Sequence, residues 1–402
     1  MQTKLLPDLL ATPHGQEADR ILRSCVHCGF CTATCPTYQL LGDELDGPRG
    51  RIYEIKLALE GERVSRRTQS HLDRCLTCLN CETTCPSGVQ YHRLLDIGRS
   101  YVDEQVARPL PQKILRWLLR KILPHTRRVT ALLKMGYALQ PLMPAALARK
   151  LPAKQLPVSH QPAQHTRKML LLAGCVQPAM TPRTNQATAL VLNKLGIEVI
   201  EAAKATCCGA LSHHLSATEE ARGYMRKNID AWWPHIEQGA EAIVITASGC
   251  GAMVKEYAHL LQHDPYYAEK ATRVSALAKD LSEVLSEDDM RQLGHGKQRS
   301  IAFHPPCTLQ HAQKLNGRVE RLLLAAGYKL QPVTDSHLCC GSAGSYSILQ
   351  PAIANQLKQR KLDNLQAGKP ELIVTANIGC QLHLQSEAAV PVKHWIELFV
   401  DE

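Results

Sequence analysis

Cysteine falls twice into one run. Cys25-Val-His-Cys28-Gly-Phe-Cys31-Thr-Ala-Thr-Cys35-Pro36 and Cys75-Leu-Thr-Cys78-Leu-Asn-Cys81-Glu-Thr-Thr-Cys85-Pro86 both read C-x2-C-x2-C-x3-C-P. No other feature of the chain restricts its folding as much. Two residues between thiols let a looping backbone turn three sulfurs towards one cuboidal metal cluster. Three further residues and a proline then carry the fourth cysteine away, so that it reaches the cluster of the other run. The spacing assigns Cys25, Cys28, Cys31 and Cys85 to one [4Fe–4S] cluster, and Cys75, Cys78, Cys81 and Cys35 to a second. A pair of structural zinc sites is the competing account, but such sites use C-x2-C halves at longer separations. His27 lies between ligands and has no necessary role there.

The runs are those of two-cluster ferredoxins, and the segment between them reads as a helix. Asp46-Gly47-Pro48 supplies a cap and an early proline, and Ile52, Ile55 and Leu59 recur on one helical face. An α-helical two-cluster ferredoxin domain follows, rather than a small β-hairpin one. Once four thiolates hold each cluster, neither offers a position to a substrate, so two in series serve one-electron transfer. Sixteen cysteines in 402 residues are about 4%, below the ~8–10% of a disulfide scaffold. Met1 to Arg20 has no basic segment followed by an apolar core, and no apolar run reaches the ~18 residues of a membrane span. Neither a signal peptide nor a transmembrane helix is expected, and cysteines in a reducing compartment are more often ligands or redox groups than disulfides.

The other eight cysteines form a duplicated pattern. Cys175, Cys207-Cys208-Gly209 and Cys250 make one set; Cys307, Cys339-Cys340-Gly341 and Cys380 make the other. The first cysteine lies 32 residues before the pair in both sets, and the last lies 42 or 40 beyond its second member. Ile245-Thr-Ala-Ser-Gly-Cys250 and Val374-Thr-Ala-Asn-Ile-Gly-Cys380 repeat as well. Apolar strands Met169–Ala173, Glu198–Ala202 and Ala242–Thr246 alternate with helices in the first set, as do Ser300–His304, Tyr328–Val333 and Leu372–Thr375 in the second. This alternation predicts an α/β domain made of two duplicated cysteine-rich βαβ-type units. Each cysteine then falls just past the carboxyl end of a strand, where open parallel sheets bind ligands. Four thiols converging in this way suggest a further metal or redox site in each copy. Buried core cysteines are the alternative.

Charge is uneven. The chain carries +10, yet no acidic residue lies between Glu104 and Glu198, where there are 15 Lys and Arg. The basic character belongs to this connector, and Pro/Ala enrichment from Pro141 to Pro162 marks a linker. Within it, residues 113–123 (KILRWLLRKIL) separate on a helical wheel into an apolar half (Ile114, Leu115, Leu118, Leu119, Ile122, Leu123) and a basic half (Lys113, Arg116, Arg120, Lys121). Such a helix either packs its apolar face on this protein or a partner subunit, or lies on an anionic membrane surface. Only 4% of residues are aromatic and no recognition motif is present, so nucleic acid is not an expected partner.

With its double cysteine run followed by two Cys…Cys-Cys-Gly…Cys units, the chain resembles the heterodisulfide-reductase-like family of iron–sulfur subunits. Within that family, Cys25-Val-His-Cys-Gly-Phe-Cys-Thr-Ala-Thr-Cys-Pro, Asp46-Gly-Pro-Arg-Gly-Arg-Ile-Tyr, Asn228-Ile-Asp-Ala-Trp-Trp-Pro and Thr246-Ala-Ser-Gly-Cys-Gly are similar to the iron–sulfur subunits of bacterial glycolate oxidases (glycolate dehydrogenases). The resemblance implies an oxidoreductase component that carries electrons. FAD would reside only in partner subunits that oxidise glycolate to glyoxylate, with no catalytic residue in this chain. It also implies a quinone or other acceptor, and a peripheral place on the cytoplasmic side of the inner membrane. A related lactate or glycerol-3-phosphate dehydrogenase subunit is an alternative, as is a heterodisulfide-reductase-like enzyme acting at Cys207-Cys208 or Cys339-Cys340. A zinc-stapled docking scaffold is a third. Units of the wider family often end in C-x-x-C. Here Ala247 and Asn377 stand three residues before Cys250 and Cys380, which leaves four thiols per unit. A conventional cluster, a zinc ion or a redox-active pair remain open as occupants. The expected domains are 1–104 (ferredoxin), 105–166 (basic connector), 167–295 (first cysteine-rich unit) and 296–402 (second).

Overall fold

The computed structural model describes residues 1–144, 151–155, 164–294, 296 and 298–400; the linker expected at Pro141–Pro162 lies partly outside them. Two compact units do not follow chain order. One holds Met1–Trp117, His214–Ser216 and His337–Lys361; the other holds Leu118–His213, Ala217–Ser336 and Leu362–Glu402.

In the first unit, the N-terminal hundred residues are helical. The helix between the cysteine runs spans Pro48–Leu59, with Gly47 extended at its cap and Pro48 in its first turn. Proline is tolerated there because its missing N–H is one the helix would leave unbonded anyway. Ile52, Ile55, Ala58 and Leu59 are buried. They pack with Leu94, Leu95 and Val102 of the Tyr91–Gln105 helix and with Ala18, Ile21 and Leu22 of the Pro13–Ser24 helix. This small core also takes in Cys25 and Cys81, so cysteine loops and helices stand or fall together.

The second unit holds two four-stranded parallel sheets with the same strand order. The first comprises β1 (Arg167–Leu171), β2 (Ile197–Ile200), β3 (Ile243–Ile245) and β4 (Ala278–Asp280), ordered β2-β1-β3-β4. The second comprises β5 (Ser300–His304), β6 (Lys329–Leu330), β7 (Leu372–Thr375) and β8 (Val392–His394), ordered β6-β5-β7-β8. β4 and β8 are absent from the sequence reading. Each has three residues, Ala-Lys-Asp and Val-Lys-His, too short and too polar to show a period. β6 shrinks to two residues from the expected Tyr328–Val333.

Side chains alternate across each parallel sheet. Met169 and Leu171 of β1 enter one core; Leu170, with Leu172 just beyond the strand, enters another. The first of these cores also contains Ile301, Phe303, Leu323, Val374 and Trp395, so the two copies share it. Polar links join them too. Ser248 N–H donates to Ala376 O (3.1 Å), Gln313 Nε2 donates to Ser248 O (2.9 Å), and the Thr184 hydroxyl donates to Glu397 Oε1 (2.5 Å).

The amphipathic helix spans Leu110–Ile122, and of the readings the sequence left open, packing of its apolar face on this chain is not what the structure shows. Its basic side chains point to acids of the fold: Arg116 donates to Asp73 (3.0 Å), while Arg120 (3.2 Å) and Lys121 (3.1 Å) donate to Glu220. Apolar residues face outwards instead, with Leu110 68%, Ile114 49% and Trp117 51% exposed. Leu119 is the one buried apolar residue of the helix. The acids satisfy the guanidinium and ammonium groups, and Asp73 is held below the ordinary carboxylate range. Burial alone would raise it, but hydrogen bonding to Arg108 and the charges of Arg116 and Arg108 outweigh that.

His394, at the end of β8, is fully buried. Its Nε2–H donates to Thr246 O (3.0 Å) and its Nδ1 accepts from Ile396 N–H (3.3 Å). Burial pushes its pKa down to about 4, against the smaller opposing effect of the Thr246 carbonyl. An unfolded histidine titrates near 6.5, so the unfolded chain binds the extra proton first. The stability carried by neutral His394 is complete above pH ~6.5 and is lost as pH falls towards 4, by up to roughly 3 kcal/mol. Thermal melts should therefore show a steeper fall in Tm between pH 7 and pH 5 for the wild type than for His394→Gln. Parallel pH profiles would disprove this role.

Candidate iron–sulfur centres

The two cysteine runs fold alike. The residue before the second cysteine and the residue after it are left-handed in both: His27 (φ 57°) and Gly29 (φ 86°) in one, Thr77 (φ 51°) and Leu79 (φ 59°) in the other. This conformation costs a non-glycine residue about 1 kcal/mol or more. The cost is shared at the matching positions His27 and Thr77, while Gly29 avoids it where Leu79 accepts it, which implies that the turn exists to aim sulfurs. A short helix then follows each loop, Phe30–Ala33 and Asn80–Thr83, and lifts the third cysteine to the same side. Pro36 opens the next helix after Cys35.

These loops line two neighbouring cavities. Cys25, Cys28, Cys31 and Cys85 line a larger one, of about 450 Å³, whose wall also includes Cys81, Arg49 and Phe30. Cys35, Cys75, Cys78 and Cys81 line a second, of about 310 Å³, with Thr37, Arg51 and Tyr91. The exchange of fourth cysteines read from the spacing is thus brought together in space: Cys85 is with the first run and Cys35 with the second. Asn80 Nδ2 donates to Thr34 O (3.0 Å), and the Thr34 hydroxyl donates to that of Thr84 (3.2 Å), tying the run ends to each other.

The donor chemistry fits a cationic cluster. All sixteen cysteines are free of disulfides. Burial first, and then the Cys25 sulfur, push the Cys31 thiol up to about 11. Burial, Cys78, Cys75 and Cys35 raise Cys81 far above its ordinary value. Sulfurs this crowded and dry ionise only where bound metal supplies positive charge.

The first copy of the duplicated pattern also gathers its thiols. Cys175, Cys207, Cys208 and Cys250 form a hydrogen-bonded chain in that order. Bonds from Cys175 and Cys208 hold Cys207 well below the ordinary thiol range, whereas burial and bonding to Cys207 raise Cys175 and Cys208. Two residues that no ligand pattern flagged brace this turn. Asn228 Oδ1 accepts from Thr206 N–H (2.7 Å) and its Nδ2 donates to Cys207 O (2.9 Å); the Tyr257 hydroxyl donates to Cys208 O (2.8 Å). Their signal in the sequence is faint: a lone amide on the buried face of the Thr218–Glu237 helix, and a tyrosine seven residues after Cys250.

In the second copy, Cys307 and Cys380 belong to the unit of the sheets, and Cys339-Cys340-Gly341 to the unit of the cysteine runs. Within that unit the Tyr346 hydroxyl donates to Arg74 O (2.9 Å), and Asn80 Nδ2 donates to His337 O (3.3 Å). The Cys339-Cys340 segment is therefore anchored to the loop that carries Cys75. Where a fifth thiol might have stood, Asn377 Nδ2 donates to Cys380 Sγ (3.5 Å).

Known families match the chain in the same places. Residues 21–89 match the 4Fe-4S dicluster domain, and residues 169–255 and 301–385 each match the cysteine-rich domain. A protein of Escherichia coli (strain K12), the glycolate oxidase iron-sulfur subunit, is 57% identical over 399 residues, covering 99% of this chain and 98% of the relative. The chain belongs to the glycolate oxidase iron–sulfur subunit family. A probable member from Bacillus subtilis (strain 168) is 28% identical over 90% of this chain and 88% of its own length. Lactate utilization protein A of Geobacillus kaustophilus (strain HTA426) is 26% identical over 55% of this chain and 92% of its own. The family's iron–sulfur cofactors, its N-terminal dicluster domain and its repeated cysteine-rich domains with parallel sheets are those of this chain.

Glycine after each cysteine pair is a steric requirement. Gly209 and Gly341 have φ of 91° and 90°. A Cβ on Gly341 would lie 2.5 Å from Ala354 O, a backbone atom that cannot swing away, and one on Gly209 would lie 3.1 Å from Ala221 O. Gly209→Ala should cost about 1–3 kcal/mol through backbone strain, and Gly341→Ala more, because the chain must also part. Denaturant melts compare the two; equal losses would remove the steric distinction.

Proposed function

We propose that this chain is the electron-carrying iron–sulfur subunit of a multi-subunit, flavin-dependent glycolate oxidase, passing electrons from glycolate oxidation to a quinone or other acceptor. The observation that carries this reading is the gathering of eight cysteines, four by four, around two adjacent cavities, in a chain alignable from end to end with a subunit of that name. Cys25, Cys28, Cys31 and Cys85 hold one [4Fe–4S] cluster; Cys75, Cys78, Cys81 and Cys35 hold the other. When bound, such clusters take up and release single electrons without bond making.

The chain's own residues set the route. Cys28 is exposed, and Val26 and Phe30 beside it are 67% and 63% exposed, so the first cavity opens where a donor can approach. Cys78 and Cys81 are buried, which shields the second from solvent. The oxidation of glycolate belongs to flavin-bearing partner subunits, where FAD would reside. The cysteine-rich copies, with Cys175, Cys207, Cys208 and Cys250 in one and Cys307, Cys339, Cys340 and Cys380 in the other, supply further metal or redox sites on the way to the acceptor.

Metal analysis on anaerobically purified protein should give at least about eight iron atoms per chain. Cys31→Ser and Cys81→Ser should each lose about four. Zinc without iron would sink the reading. With partners co-purified, glycolate should reduce an artificial dye. Turnover with D-lactate or glycerol 3-phosphate but not with glycolate would reassign the substrate.

The Leu110–Ile122 helix supports a peripheral place on the cytoplasmic face of the inner membrane. Its apolar side chains point outwards in a stretch free of acids, the combination that settles into an anionic interface. No helix among the described residues is long and apolar enough to cross a membrane. The assembled complex should float with vesicles containing phosphatidylglycerol, and Ile114→Glu with Leu118→Glu should weaken that binding at least tenfold while leaving iron content intact. Unchanged flotation would exclude this face.

A further inference from the structure

The two cavities differ in their electrostatics. Arg51 is wholly buried and lines the second cavity. Its Nε donates to His71 O (2.8 Å), and its Nη1 and Nη2 donate to Thr37 Oγ1 (3.2 and 3.3 Å). Thr37 Oγ1 lies 3.3 Å from the Cys35 sulfur. Arg51 stands in the fields of Cys75, Tyr91, Cys35 and Asp46. Nearby, the Tyr91 hydroxyl donates to Cys75 Sγ (3.6 Å), and Arg99, also buried, donates to Cys75 O (2.8 Å). Asp46 is the one carboxylate in direct contact. It is buried, and is shared among Arg51 (3.4 Å), Arg74 (2.8 Å) and His71 (3.0 Å). Glu54 lies farther off, and burial lifts its carboxyl to about 7. Asp43, whose carboxylate lies within 4.8 Å of Asp46 and His71, is half-buried, so the three guanidiniums of Arg51, Arg74 and Arg99 outnumber the two carboxylates, Asp46 and Asp43, beside them.

Among the described residues, no such buried charge lines the first cavity. Arg49 lines it, but that side chain is 37% exposed and engaged by Glu44 (2.6 Å). The amino group of Met1 donates to Cys25 O (2.6 Å) from a partly exposed position. Water and salt screen both.

Reduction adds one negative charge to a cluster already held by four thiolates. A fixed cation in a dry wall stabilises that added charge far more than a screened one does. We propose that Arg51 raises the reduction potential of the second cluster selectively, making it the deeper electron trap of the pair. An electron reaching the first cluster then passes on: the first is oxidised by one electron and the second reduced by one, with no proton or bond involved. The flavin partner is the reductant. The trap lies on the side where Tyr346 and Asn80 anchor the Cys339-Cys340 segment. The inference rests on the ligand assignment proposed above.

The experiment is a potentiometric titration of the full chain followed by electron paramagnetic resonance, with iron measured on each sample. Wild-type protein should show two midpoints. In Arg51→Gln the higher one should fall, with at least a tenfold loss in its reduced-to-oxidised ratio at fixed potential (about 59 mV for a one-electron couple), and the lower should stay in place. Arg51→Lys, which keeps the charge, should restore most of the shift. Asp46→Asn, which removes the opposing charge, should raise the same midpoint. A fall of the lower midpoint, equal movement of both, or movement of neither in iron-replete Arg51→Gln overturns the proposal. If Arg51→Gln does not load iron, Asp46→Asn decides: a rise of the higher midpoint alone sustains the proposal, and unmoved or equally moved midpoints overturn it. Wild-type protein lacking about eight irons would instead overturn the ligand assignment.

Discussion

Crowded, buried sulfurs need a positive partner, and most of the N-terminal architecture follows from that need. Burial first, and then neighbouring sulfurs, raise the thiols of Cys31 and Cys81. They become thiolates only when metal neutralises them. The helices of this unit contribute an apolar core that includes Cys25 and Cys81, so metal binding and helix packing are one cooperative event. Left-handed His27, Thr77 and Leu79 carry strain that metal binding can offset.

Charge placement then separates two sites that the motifs make equal. The runs are near copies, yet one cavity is walled by a buried guanidinium and the other by a screened one. Helix Pro48–Leu59 explains the asymmetry. It carries Arg49, part-exposed, towards the first cavity and Arg51, wholly buried, towards the second. A similar separation of roles marks the Leu110–Ile122 helix. Its cations find Asp73 and Glu220, which frees the apolar side for a surface outside the chain.

Much of this was legible in residue spacing. The exchange of Cys35 and Cys85 between runs, the helix at Pro48, and two strand-rich copies with cysteines past strand ends all follow from local rules: loop length, capping and periodicity. The misses have physical causes. β4 and β8 are three-residue edge strands whose pairing, not composition, defines them. The orientation of the amphipathic helix stayed open in the sequence because a helical wheel sorts residues by type but is blind to which acids await the basic face. Asn228 and Tyr257 escaped notice because their hydrogen bonds to the Cys207 and Cys208 carbonyls join parts of the chain far apart in sequence.

Sequence alone determined the kind of metal group, the spacing of its candidate ligands, the repeated α/β units and the location of the basic stretch. Each depends on distances along the backbone, and covalent geometry makes those distances nearly invariant. Tertiary structure alone decided which cavity receives a buried cation, which face of the basic helix meets solvent, and that Cys339-Cys340 belongs to the compact unit of the cysteine runs. Those outcomes depend on desolvation and on charges distant in sequence, and no local pattern carries either.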